Sequence, residues 1–214
     1  MIPLKFIGFY NYTVILTYLS LFSGMIAMRS AHIGAFDRAI LCLLLSGVCD
    51  LFDGAVARTK RNRTEDEKGF GIQLDSLCDV ICFGVVPAVI MYFRGVDSII
   101  GMAILIFYVL CAVIRLAFFN VLETKRQAEE GSSTCTKSYR GMPVTCASMI
   151  FPFFYLFDVF LPLPEQIMLA IYYVLPLVTA LLFIADFPVP KLNVSKLFRK
   201  REEQEEVEDI LPKT

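Results

Sequence analysis

Leu41-Cys-Leu-Leu-Leu-Ser-Gly-Val-Cys-Asp50-Leu-Phe-Asp53-Gly54-Ala-Val-Ala57-Arg58 runs an apolar segment straight into two carboxylates, and Gly71-Ile-Gln-Leu-Asp75-Ser76-Leu-Cys-Asp79-Val-Ile-Cys-Phe83 leads two more into the next apolar segment. Around them lie six apolar stretches, at approximately 8–28, 34–53, 71–93, 98–122, 142–161 and 165–186. At ~1.5 Å rise per residue each is long enough to cross a hydrocarbon core of roughly 30 Å. None alternates in the manner of a barrel strand, and backbone groups in lipid must be satisfied internally, so the spans read as helices. With 57% hydrophobic residues in 214 and a mean hydropathy of +0.63, the chain has more apolar surface than one soluble core buries. The expected fold is an all-α membrane protein of six transmembrane helices, occupying residues 1–190, with a charged cytoplasmic tail at 191–214.

The net charge of -1 hides a segregation. With both termini in the cytoplasm, sixteen basic residues fall on that side, against Arg29, Arg38 and Arg94 outside. The tail is first basic, from Lys191 to Arg201, then acidic from Glu202 to Asp209, and reads as a solvated end. No cleavable signal peptide is expected, since the first apolar run is long and lacks a small-residue cleavage site. Seven cysteines without a C-x-x-C pair read as helix-packing residues. His32, the one histidine, falls in an expected outside loop far from the carboxylates.

A carboxylate at the edge of a membrane helix costs ~2.5–3.5 kcal/mol on insertion scales, so four within 30 residues require compensation. Asp50 and Asp53 are spaced i, i+3, and Asp75 and Asp79 are spaced i, i+4, so each pair projects from one helix face. One span ends and the next begins on the same side, which brings the pairs to one depth. Four oxygen donors without histidine or thiolate suit Mg²⁺ or Mn²⁺ rather than zinc. Gly54 and Ala57 let a flat ligand approach the backbone, and Arg58 supplies a fixed cation for a pyrophosphate. A proton relay or a polar helix contact would explain one acidic pair alone, but not the pair together with these neighbours.

The two strings resemble the signature of the CDP-alcohol phosphatidyltransferase family, D-x-x-D-G-x-x-A-R, a spacer, then G-x-x-x-D-x-x-x-D. The spacer here, residues 59–70, is longer than the family's usual one; the extra residues are expected in Asn62 to Phe70, bulging into the cytoplasm. The run from Asp75 to Ala88, with Arg115-Leu-Ala-Phe118-Phe119-Asn120-Val121 and Tyr139-Arg-Gly141-Met-Pro143, is similar to the phosphatidylserine synthase branch. Phe118 stands where that branch has an arginine.

The resemblance implies a homodimer, a site for two divalent ions (Mg²⁺ or Mn²⁺), CDP-diacylglycerol as donor and L-serine as acceptor, with a polar cavity open to the cytoplasm and to the bilayer. Asp50, Asp53, Asp75 and Asp79 would be the metal ligands, and Asp79 also the general base on the serine hydroxyl. Asp53, Gly54, Ala57, Arg58, Gly71 and Asp75 would bind the donor, and Arg115 and Asn120 the acceptor. No nucleic-acid partner is expected. Two alternatives stay open: the same chemistry on another alcohol, such as inositol phosphate or glycerol phosphate, and a divalent-cation transporter. Gly54, Ala57 and Arg58 speak against the transporter, because a passing cation needs neither a nucleotide-fitting backbone nor a fixed positive charge.

Overall fold

The computed structural model describes residues 7–60, 64–129, 139–161 and 163–189. A short 3₁₀ turn, Tyr12–Val14, opens α1 (Ile15–His32); α2 is Phe36–Thr59 and α3 is Glu65–Asp79. A π-helical stretch, Val80–Val85, joins α3 to α4 (Val86–Phe93), so the two form one rod. Then come α5 (Ile99–Glu129), β1 (Tyr139–Arg140), α6 (Ala147–Phe160) behind a 3₁₀ turn, α7 (Glu165–Ile184) and β2 (Pro188–Val189). Among the described residues, five helical segments are long and apolar enough to cross a membrane, ending in the order His32, Ala57, Phe93, Leu122 and Ile184. The chain is an integral membrane protein.

The sixth apolar helix, Val144–Phe160, is shorter than the expected 142–161. Pro143 is extended, with φ -61° and ψ 144°, and Leu161 is held out of the helix where it precedes a proline. Of the expected bulge at 62–70, the described residues 64–70 depart from that reading. Residues 65–70 are the first turns of α3, started by a capping box in which Thr64 and Glu67 satisfy each other's backbone N–H groups. The extra residues therefore lengthen a helix. Likewise α5 runs beyond its apolar part to Glu129. The tail 191–214 lies outside the described residues.

α1 and α2 form a tight antiparallel hairpin. α1 stops at Gly34, whose φ of +75° allows two closing bonds, Ala35 N–H to Ser30 O at 2.9 Å and Gly34 N–H to Ala31 O at 3.0 Å. Polar groups facing the helix contacts are paired, as membrane burial demands: Ser20 Oγ lies 2.7 Å from Ser46 Oγ, and Ser23 Oγ donates to Cys42 O at 2.7 Å. α5 packs along α7 and against the π-helical stretch. At their centre Tyr108, Phe83, Phe151 and Phe183 are fully buried, the Tyr108 ring 5.5 Å from Phe151 and 5.6 Å from Phe183. Pro87 has no N–H to offer the carbonyl four residues earlier, that of Phe83. Tyr108 donates to it instead, at 2.5 Å. The irregular turn just past Asp79 is thus tied to α5.

Candidate active site

α2 and α3 converge where their acidic residues lie. The carboxyl groups of Asp50 and Asp79 lie side by side, as do those of Asp53 and Asp75. Oxygens of Asp50, Asp75 and Asp79 fall within 4.8 Å of one another. Asp53 and Asp79 are both buried, at 8% exposure. Thr17 of α1 donates to Asp53 Oδ2 at 3.4 Å, while Asp75 Oδ1 is buried with no hydrogen-bond partner. Juxtaposed carboxylates at low dielectric repel, and an orphaned acceptor carries its whole desolvation cost. The arrangement therefore fits a hard cation: the donors are all oxygen, they converge, and one points at nothing else.

Two cavities share the Asp53–Asp75 wall. The smaller, of about 140 Å³, is lined by Thr13, Val14, Thr17, Asp53, Gly54, Ala57, Lys68, Gly71, Ile72 and Asp75. Five of these were read from sequence as donor-binding. A Cβ built on Gly54 meets no atom within 4 Å, so packing does not require glycine there; its smallness leaves space inside the cavity. Arg58 continues α2 one position past Ala57, and its side chain lies outside the described part of the structure.

The larger cavity, about 350 Å³, is lined by all four aspartates with Ser76, Arg115, Leu116, Phe119, Pro143, Val144 and Thr145. Ser76 donates to Asn120 Oδ1 at 2.7 Å, so Asn120 meets the site through Ser76. Arg115 lies against Gly141, where a Cβ would come within 3.0 Å of Nη1 and 2.8 Å of Ala185 O. Gly141 itself has φ +73° and donates to Phe187 O at 2.8 Å. β1 pairs antiparallel with β2, Tyr139 opposite Val189 and Arg140 opposite Pro188. This short clasp carries the chain into the Pro143–Thr145 wall. Phe118 is 48% exposed and lines neither cavity; its neighbour Phe119 does line one. An arginine missing at 118 therefore removes nothing from the cavity wall itself.

Sequence reading missed Thr13, Thr17, Lys68, Ile72, Leu116 and the Val144–Thr145 wall. Thr13 and Thr17 carried a signal, a polar i, i+4 pair entering an apolar run. So did Lys68, which with Gly71, Ile72 and Asp75 completes an i, i+3, i+4, i+7 face.

Residues 10–185 match the family model described as CDP-alcohol phosphatidyltransferase. The chain is 36% identical over 147 residues to the archaetidylserine synthase of Methanothermobacter thermautotrophicus, covering 66% of this chain and 56% of that protein. It is 42% identical over 109 residues to the CDP-diacylglycerol–serine O-phosphatidyltransferase of Saccharomyces cerevisiae, covering 50% and 37%. The Helicobacter pylori protein of the same name is 34% identical over 143 residues, covering 66% and 55%. These matches span from about a third to just over half of the relatives' own length.

Proposed function

The chain belongs to the CDP-alcohol phosphatidyltransferase family, and from that premise we propose that it transfers the phosphatidyl group of CDP-diacylglycerol to L-serine, giving phosphatidylserine and CMP. One observation carries the reading: Asp53 and Asp75 form the common wall of two cavities, so a group can pass between ligands seated on either side. Serine as acceptor draws support from the printed names of the three relatives, which all specify a serine product or substrate.

In this proposal the smaller cavity takes the CDP end of the donor, against Gly54, Ala57, Gly71 and Arg58. The larger takes serine. Asp50, Asp53, Asp75 and Asp79 hold the metal, which we assign as two ions of Mg²⁺ or Mn²⁺. A divalent cation held there would supply charge neutralisation for the diphosphate and the departing CMP. Asp79 accepts the proton as the serine hydroxyl attacks the lipid-bearing phosphorus, and the P–O bond to CMP breaks. Asp79 serves as both ligand and base through its two oxygens. Arg115 faces the serine carboxylate, and Ser76, held by Asn120, offers a hydroxyl to its polar groups.

We further assign the catalytic unit to residues 1–190 and a cytoplasmic tail to 191–214, with the site and both termini facing the cytoplasm, as the basic asymmetry supports. A homodimer is part of the proposal on the family resemblance; α2 keeps Leu41, Leu45, Leu51 and Phe52 exposed for lipid or a second copy. The test is CMP release by purified protein given CDP-diacylglycerol, a divalent cation and one alcohol at a time. Release with L-serine, and not with inositol phosphate or glycerol phosphate, is the expected result; release with another alcohol alone removes the serine assignment.

A further inference from the structure

The lengthened start of α3 brings a cation to the donor cavity. Once Glu65–Phe70 are helical, Lys68 lies on the same face as Gly71, Ile72 and Asp75, and all four line the smaller cavity. Lys68 sits about 10 Å along the axis from Asp75, two turns nearer the start of α3, and its long side chain can reach a ligand held between them. Several contacts fix these added turns. Phe9 packs edge-on to Phe70 with centroids 5.6 Å apart, and the Asn11 side chain reaches Glu67. Lys60 Nζ pairs with Glu67 Oε1 at 2.9 Å. Two of the three acids in the first turn already have cationic partners, Glu67 with Lys60 and Glu65 with Lys68 at 2.7 Å.

The Lys68–Glu65 pair is weakly held. Its side chains are 46% and 84% exposed, and solvated ion pairs contribute little. An ammonium on a flexible stem can leave such a partner for a doubly charged ligand. Resting on the proposed donor site, we propose that Lys68 is a donor-binding residue whose ammonium exchanges Glu65 for the diphosphate of the CDP moiety. The long spacer then has a purpose: it extends α3 far enough to carry this cation.

The test is equilibrium binding of CDP and of cytidine to the full chain in detergent with Mg²⁺, alongside steady-state kinetics. Lys68→Gln is expected to weaken CDP binding and raise the KM for CDP-diacylglycerol by about three- to tenfold, the range of a screened charge-assisted bond. Cytidine affinity, kcat and the KM for serine should hold, and Lys68→Arg should retain CDP binding. Unchanged CDP affinity in Lys68→Gln overturns the inference, as does an equal loss for cytidine. If the unaltered protein neither binds CDP nor releases CMP, the donor reading itself fails and takes the inference with it.

Discussion

The two ends of the helix bundle treat buried charge in opposite ways. At one end four aspartates converge on one cavity, and two of them, Asp53 and Asp75, line a second as well. At the other, Arg94 pairs with Asp158, donates to Tyr172 Oη at 2.8 Å, and lies 4.9 to 5.5 Å from the ring centroids of Phe36, Tyr155 and Tyr172. Tyr172 donates to Asp158 at 2.6 Å, and Tyr155 to Asp37 at 2.6 Å. Each end holds one of the buried side-chain polar atoms that lack a hydrogen bond among the described residues, Asp75 Oδ1 and Arg94 Nε. Arg94 Nε belongs to a cation already neutralised and covered by aromatic faces. Asp75 Oδ1 belongs to an anion beside other anions. The Arg94 end closes on itself and joins α2, α4, α6 and α7; the aspartate end gathers acceptors that could hold a metal ion.

Substitution should separate the two ends, and the largest effect belongs to the aspartates. Asp79→Asn is expected to lower kcat by ~10²–10⁴-fold, since an amide of the same shape accepts no proton. Asp75→Asn should abolish turnover, and excess EDTA should do the same to the unaltered protein. Thermal unfolding of both variants should occur at or above the original temperature, because each removes repulsion. A large fall in unfolding temperature would mean that the aspartates hold the fold together, and the contrast would be lost.

Arg94→Leu should act the other way round. Leaving Asp158 without its cation in a part-buried cluster is expected to cost about 2 kcal/mol of stability, read from denaturant or thermal unfolding in micelles. CMP release per folded molecule should stay within about twofold, because the cluster touches neither cavity. The smallest effect is expected at Thr17→Val, which removes only the 3.4 Å bond to Asp53. A two- to threefold fall in kcat/KM, about 0.5 kcal/mol, fits a long hydrogen bond whose partner keeps its other contacts. A hundredfold loss there would place Thr17 in direct contact with substrate.

Much of this was legible in the residues. The aspartate spacing, set against the cost of carboxylates in lipid, predicts that the two acidic pairs converge, as the structure has them. Gly54, Ala57 and Gly71 line the cavity that their place in the motif suggests. Thr64-x-x-Glu67 is itself a helix-start pattern, so the extended α3 was readable and was outweighed by the charge density of 59–70. Phe118 and Phe119 were harder: adjacent helical positions differ by a third of a turn, and only the packing of α5 decides which one faces the cavity.

What the sequence determined by itself follows from local rules. Apolar length specifies membrane helices, and helical periodicity puts Asp50 with Asp53, and Asp75 with Asp79, on one face each. Only the tertiary structure decided that the close contacts run across the helices, Asp50 to Asp79 and Asp53 to Asp75. It also set Thr17 against Asp53, and closed the larger cavity with a wall pinned to the segment after α7. The reason is range. A residue's face depends on its own helix, whereas the group it meets depends on how distant segments settle against one another, which no short stretch of chain encodes.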